Sequence, residues 1–318
     1  MDFRLNMGVT CVDLGFFEED FDPWELESRY FPSKIGGKPA WLDLKHLPAP
    51  EELQCPKCST PMTFLMQLYC PDDSNTSAFH RTIFLFICTT SNCWSNPTPP
   101  ILVLRSQLAR TNPYYPSQSP EDNPNWRPDI VVGKHCTVCG VCGCRGEKLC
   151  GRCRGVTYCG ENHQRRDWKA GHKAQCCEGA VYQGSNIKWA LKEGIMEREA
   201  EPNEEEGAIE EDEEKYKDLI NGGIDVEEAE LDEIESGQVV DKICDKFRQR
   251  VRRAPDQILR YDRRGKPLLC AAQPTLSIPE NCKKCGGSRT FEFQVISYVT
   301  SLTATYNEHF GSFRQKNC

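Results

Sequence analysis

No run of eighteen apolar residues occurs in the 318-residue sequence, so no membrane-spanning helix is expected. The first residues, MDFRLNMGVTCVDLGF, carry neither an apolar h-region nor a small-residue cleavage site, and secretion is not expected. There is no GxSxG, no phosphate-binding GxxxxGK[ST] loop and no HExxH, which removes the most legible hydrolase, nucleotide-binding and metalloprotease signatures. No internal repeat of fixed period is present. Positive charge is also scarce: 39 Lys and Arg against 47 Asp and Glu leave a net charge of −8, which argues against a general nucleic-acid binder.

What the sequence does have is cysteine, 20 in all. They recur as CxxC pairs at Cys55/Cys58, Cys139/Cys142, Cys150/Cys153 and Cys282/Cys285. In a small secreted chain such a count would read as disulfides. Without a secretion signal, thiols stay reduced, and a CxxC turn lets two sulfurs reach one metal at about 2.3 Å each. Zinc is therefore the expected occupant.

Charge is unevenly spread. Residues 193–237 hold 20 Asp/Glu and 3 Lys/Arg, a local net of −17 that leaves the remainder at +9. A zinc bound by three thiolates and a neutral histidine carries −1 that this count ignores, so the remainder is only mildly basic. The acidic tract reads as a solvated, disordered linker, because such a composition buries too little apolar area to fold.

Organisation follows from these shifts. Residues 1–133 read as a β-rich N-terminal region. FPSKIGGKPAWL places a Gly36-Gly37 turn between apolar flanks, with Trp41 and Leu42 packing on a core. Met62–Tyr69, Thr82–Cys88 and Ile101–Leu104 read as strands, and the proline-rich stretch 112–128 as a loop. Residues 134–178 form a cysteine-dense module, 179–240 the acidic linker and 241–318 a C-terminal region. In that last region Ile243, Phe247 and Val251 recur every fourth residue and predict a helix. Pro255 can start a second helix, while PLLC at 267–270 and the alternating Phe291, Phe293 and Val295 look like strands.

The central module runs Cys139-x2-Cys142-x7-Cys150-x2-Cys153-x5-Cys159-x3-His163-x8-His172-x3-Cys176, eight donors for two tetrahedral sites. This pattern resembles the MYND finger. In that family the ligand pairs interleave, so the resemblance implies one zinc on Cys139, Cys142, Cys159 and His163 and a second on Cys150, Cys153, His172 and Cys176. Cys136 forms a CxxC with Cys139 and stands as an alternative to Cys139 or Cys142, with Cys144 and Cys177 nearby. Gln164 and Trp168, four apart on an expected helix, resemble the MYND surface that receives proline-containing peptides; Trp168 otherwise serves to cover the zinc core. Some lysine methyltransferases carry a MYND finger in a SET domain, but neither the Asn-His-Ser/Cys nor the Gly-Glu-Glu-Leu element of that domain occurs here. Cys55, Cys58, Cys88 and Cys93 form a candidate third, ribbon-like zinc site on strand ends, or else are buried free thiols. Cys282/Cys285 is a half-site with only Cys318 after it.

LGF at 14–16, FPSKIGGKPAWL at 31–42, CPKC at 55–58, FHRTIFLFIC at 79–88, LRSQLARTNPYY at 104–115, PDQILRY at 255–261 and CKKCGGSRTFEFQVIS at 282–297 together resemble the programmed cell death protein 2 family. The resemblance implies an α+β, β-rich fold: a split β-domain from the N- and C-terminal parts, with the MYND finger and acidic segment inserted. It implies a non-enzymatic protein of cytoplasm and nucleus that chaperones a newly made, basic small-subunit ribosomal protein (the universal S-five type) in small-subunit biogenesis. The alternative is a nuclear adaptor or co-regulator that docks proline-rich partners through the finger. Neither involves direct nucleic-acid or membrane binding. After Ile296 the sequence departs from the family pattern and runs SYVTSLTATYNEHFGSFRQKNC, without the later strand and cysteine pair, so the C-terminal region is expected to be truncated or incomplete relative to the family.

Overall fold

The computed structural model describes residues 12–95, 99–187, 191–202, 242–269, 281–282 and 286–296. In chain order its strands are β1 (Asp13–Glu18), β2 (Lys34–Ile35), β3 (Thr63–Tyr69), β4 (His80–Ile87), β5 (Ile101–Leu108), β6 (Lys148–Leu149), β7 (Thr157–Tyr158), β8 (Gly194–Ala200), β9 (Leu259–Tyr261) and β10 (Phe293–Val295). The α-helices are α1 (Glu161–Asp167), α2 (Lys173–Gln175) and α3 (Lys242–Arg252). Strand neighbours run β10-β9-β1 in one set and β8-β2-β3-β4-β5 in another, and β6 pairs with β7 alone. The fold is β-rich with few helices, the class read from the sequence. Two compact units divide the chain.

One unit spans Phe17–Glu197. Its centre is the antiparallel set β2-β3-β4-β5. β3 and β4 carry continuous apolar runs, Phe64–Met66 and Ile83–Ile87, because both of their faces are buried. A bulge between Phe64 and Met66 inserts Leu65 without a partner on β4. β5, with one neighbour, alternates exposed and half-buried residues as an edge strand does. The Gly36-Gly37 turn requires glycine: both sit at positive φ, 68° and 66°, and a Cβ on Gly36 would lie 2.3 Å from the Lys192 carbonyl oxygen.

The finger belongs to this same unit. Trp41, 4% exposed, stacks against Phe84 and Phe86 with centroids 4.8 and 6.1 Å away, and its indole N–H donates to the Gly143 carbonyl at 2.8 Å. Lys38 Nζ donates to the Gly140 carbonyl, also at 2.8 Å. One hydrophobic cluster therefore runs from Phe64, Phe84 and Phe86 through Trp41 to Val141, Val156 and Tyr158. The division at residues 133 and 134 drawn from composition does not separate two cores.

The other unit joins the N-terminal strand to the chain after Arg198. β1 pairs with β9 (Leu14 opposite Arg260) and β9 with β10 (Arg260 opposite Gln294). A β-layer split between the two ends of the chain is thus realised within one unit. Glu201, its side chain 7% exposed, joins two arginines of this unit. Its carboxylate accepts from Arg250 Nε at 2.9 Å and Arg260 Nη2 at 2.6 Å, and Arg260 Nη1 donates to Gln257 Oε1 at 2.7 Å. Burial pulls Arg260 down to about 10.

Several expectations need correction. Within the segment 179–240 read as linker, Gly194–Ala200 is β8, a strand that pairs with β2 (Ile195 opposite Lys34). Its Gly194 and Met196 are buried while Glu197 and Glu199 face solvent, so the charges that suggested disorder decorate an exposed strand face. The heart of the acidic tract lies outside the described residues. Pro255 starts no helix: Gln257, fully buried, gives its side-chain amide to the carbonyls of Ala254 and Val251, and Ile258 N–H already bonds Gly15 O at 2.8 Å. Residues 267–269 are not a strand; Leu268 pairs through both its backbone groups with the Gln294 amide at 2.9 Å, a side chain taking the place of a ladder partner. Cys270 and residues 297–318 lie outside the described residues.

Because Arg260 is 4% exposed, removing its carboxylate partner leaves a buried charge uncompensated. Glu201→Ala is expected to destabilise the chain by about 3 kcal/mol in urea unfolding monitored on the zinc-loaded protein. A loss below about 1 kcal/mol would show that Glu201 does not hold this unit.

Candidate metal centres

The structure brings the twelve cysteine and histidine candidates together as three groups of four. In each, the ligand atoms all lie within 4.8 Å of one another.

The first group is built at strand ends. Cys55 and Cys58 flank a turn closed by Ser59 N–H to Cys55 O at 2.8 Å, with Ser59 itself in the left-handed region at φ 56°. Cys88 follows β4 directly, and Cys93 sits in the 3-10 turn Ser91–Trp94. Cys55 Sγ lies 3.9 Å from Cys93 Sγ, and Cys58 Sγ 3.6 Å from Cys88 Sγ.

The other two groups interleave in the finger. Cys139 and Cys142 come from its first turn, Cys159 from the end of β7 and His163 from α1. His163 Nδ1 faces Cys139 at 3.7 Å and Cys159 at 3.1 Å, and Cys142 lies 3.8 Å from Cys159. Cys150 and Cys153 lie between β6 and β7, and His172 and Cys176 flank α2. His172 Nε2 lies 3.5 Å from Cys150 and 3.7 Å from Cys153, with Cys150 3.7 Å from Cys176.

These separations fit a shared ion. A tetrahedron with metal–sulfur distances of about 2.3 Å has edges of about 3.8 Å, slightly less where nitrogen replaces sulfur. A disulfide would need about 2.05 Å. The titration behaviour agrees. In the first finger group, hydrogen bonds from Cys142 and Cys159 hold Cys139 far below the ordinary thiol range, while the bond to Cys139 drives Cys142 and Cys159 far above it. In the second, burial pushes Cys150 up, but bonds from His172 and the backbone outweigh it and bring the thiol to about 6; burial raises Cys176 to about 11. In the strand-end group, a bond from Thr60 lowers Cys58 to about 6 and burial raises Cys93 to about 12. Within each group, then, one thiol ionises more readily than another: Cys139 than Cys142 and Cys159, Cys150 than Cys176, and Cys58 than Cys93. A divalent ion lets all of them ionise.

Among the described residues, Cys136, Cys144 and Cys177 belong to none of the three groups. Cys136 directs Sγ to the Thr137 carbonyl, Cys144 to the Cys142 carbonyl, and Cys177 is exposed. Cys282 is described without Cys285, so the half-site lies outside the described residues.

Gln164 and Trp168 fall on the helical run after Gly160. Trp168 packs on the finger core, edge-on to His172 at 5.8 Å, and also lines an open groove with Lys169, Gly171, Lys173 and Ala174. Gln164 is not among the groove's lining residues.

Asp167 escaped the sequence reading. At 1% exposure it accepts from the hydroxyls of Tyr158 at 2.8 Å, Tyr182 at 3.0 Å and Ser185 at 2.7 Å. It thereby ties the segment after Cys177 back onto the finger, past the expected boundary at 178. No local pattern announces it, because its partners come from both sides of the helix in sequence.

Three family models match the chain: the N-terminal domain of programmed cell death protein 2 over residues 11–122, the MYND finger over 136–176, and the C-terminal domain of programmed cell death protein 2 over 241–313. Among similar proteins, "Programmed cell death protein 2" of Bos taurus is 38% identical over 90% of this chain and 83% of its own length. The Rattus norvegicus protein of that name is 36% identical over 90% and 84%. "Programmed cell death protein 2-like" of Mus musculus is 26% identical over 88% and 81%. No solved structure matches.

Elemental analysis of the purified chain is expected to give three zinc ions, one per group. Cys58→Ser should lower the count by one while leaving the finger folded. Cys153→Ser should also lose one and unfold the finger, since finger peptides draw on the order of 10–16 kcal/mol per site from zinc. Cys136→Ser and Cys177→Ser should keep all three. Loss of zinc in Cys136→Ser would instead make Cys136 a ligand.

Proposed function

The chain belongs to the programmed cell death protein 2 family, and on that premise we propose that it is a non-enzymatic chaperone of a basic small-subunit ribosomal protein, of the universal S-five type, acting in small-subunit biogenesis in cytoplasm and nucleus. The observation that carries this function is the net −17 of residues 193–237. A ribosomal protein outside the ribosome is a dense cation that aggregates or binds stray RNA. A long acidic segment raises its association rate and screens it from other polyanions. The β-layers supply a surface that can cover the client's ribosome-facing side.

Zinc serves structure in this function. Each group offers four protein donors, so a bound ion keeps no position for water or substrate, as in closed structural sites. When bound, the metal supplies folding free energy and fixes the finger. The chain's own residues do the rest: Cys139, Cys142, Cys159 and His163, Cys150, Cys153, His172 and Cys176, and Cys55, Cys58, Cys88 and Cys93 hold it, and Asp167 and Trp41 orient the finger around it.

A second function is favoured by one specific observation, the groove beside Trp168. An aromatic wall next to an open channel suits an extended, proline-containing segment of a nuclear partner.

A tagged pulldown from cells, washed at moderate salt with bound proteins identified by mass, separates the two. Stoichiometric recovery of one small-subunit ribosomal protein without the rest of the ribosome is expected, and Trp168→Ala should leave it unchanged. Recovery of proline-rich nuclear regulators instead, lost in Trp168→Ala, would replace the chaperone by the adaptor.

A further inference from the structure

The groove on the finger has a geometry and a charge that together specify more than an apolar anchor. α1 does not end cleanly at Asp167. The chain continues through a wide turn, Trp168–His172, in which Lys173 N–H reaches back to the Trp168 carbonyl, before α2 resumes the helix. Gly171 makes the turn possible, at φ 146° and ψ −20°. A Cβ there would lie 2.7 Å from Asn186 Nδ2. On this turn lies an open surface groove of about 600 Å³, lined by Trp168, Lys169, Gly171, Lys173 and Ala174.

Its charged walls among the described residues are Lys169 and Lys173. Both are exposed, and neither pairs with an acidic group among the described residues. The rest of the finger cannot neutralise them. Residues 136–176 hold eight Lys/Arg against three Asp/Glu, and all three acids are committed: Glu147 to Arg145, Glu161 to Arg165 and Lys148, and Asp167 to the buried hydroxyls. The finger stays cationic even after each zinc–thiolate centre takes one negative charge. Arg152 and Arg154, exposed in the turn between Cys150 and Cys153 and just beyond it, add to the field.

We infer that this groove docks an acidic linear peptide: an apolar or proline residue against Trp168, flanked by carboxylates that Lys169 and Lys173 receive. The inference rests on the finger being a protein-binding module and adds the charge of its ligand. It also gives the chain two docking chemistries of opposite sign, an acidic tract for a basic client and a cationic groove for an acidic partner.

The test uses the zinc-loaded full chain and fluorescence anisotropy with two short labelled peptides sharing a central Pro-Leu, one flanked by Asp and Glu and the other by Asn and Gln. At low salt the acidic peptide is expected to bind about tenfold more tightly, the scale of two exposed ion pairs. Raising the salt should erase the advantage. Lys169→Glu/Lys173→Glu should erase it too, with zinc content unchanged, whereas Trp168→Ala should weaken both peptides alike. Equal binding of the two peptides overturns the charge inference and leaves the groove as a peptide site. Binding of neither removes the groove as a peptide site and the adaptor function with it, leaving the chaperone to stand or fall on the pulldown. Tighter binding of a poly-U RNA, lost in the same double variant, overturns the inference in favour of nucleic acid.

Discussion

Four cysteine or histidine donors held within one tetrahedron edge form an unstable arrangement for a protein alone. Sulfurs 3.6–3.9 Å apart repel one another if they are all ionised, and if they are neutral they surrender the only strong interaction available to them. A divalent cation reverses both penalties. Three times in this chain, distant segments converge on such a point: a turn, a strand end and a 3-10 turn at the first; a knuckle, a strand end and a helix at the second; a knuckle and the two flanks of a short helix at the third. The finger's own regular structure amounts to two strands of two residues and short helices, far too little to sustain itself. Its fold is a consequence of where its ligands meet.

That dependence extends beyond the finger. Trp41 lies between the sheet and the finger, packed on Phe84 and Phe86 and hydrogen-bonded to the first zinc knuckle at Gly143. Cys139, Cys142, Cys150, Cys153 and Cys176 share one apolar cluster with Trp41, Phe64 and Phe86. Loss of metal would therefore open the edge of a core that the sheet also uses. Asp167 adds a second tie, gathering hydroxyls from Tyr158, Tyr182 and Ser185 onto one buried carboxylate. The finger is seated rather than tethered, and its groove is presented at a fixed place within its unit.

Segregation of charge gives this scaffold its character as a binding protein. Acidic residues concentrate in one tract, while the finger keeps its cations exposed and commits its few acids internally. Association with charged macromolecules is then governed by which surface meets which sign, and will weaken with salt in both cases.

The candidate donor groups were legible because chelation is local: CxxC spacing and a run of eight donors in 38 residues constrain the metal chemistry whatever surrounds them. The principal strands were legible too, since Phe64–Met66 and Ile83–Ile87 are continuous apolar runs. β8 was not, because the glutamates on its open face resemble those of the tract that follows. The Pro255 turn and the Leu268 loop depended on single side chains, Gln257 and Gln294, standing in for backbone partners. So the sequence by itself determined the metal, its ligand types and the charge of each segment, which are properties of residue identity and short spacing. Only the tertiary structure decided that Trp41 unites sheet and finger in one core and that Asp167 gathers the hydroxyls of Tyr158, Tyr182 and Ser185, because each of these is set by residues beyond local spacing meeting where packing and burial bring them.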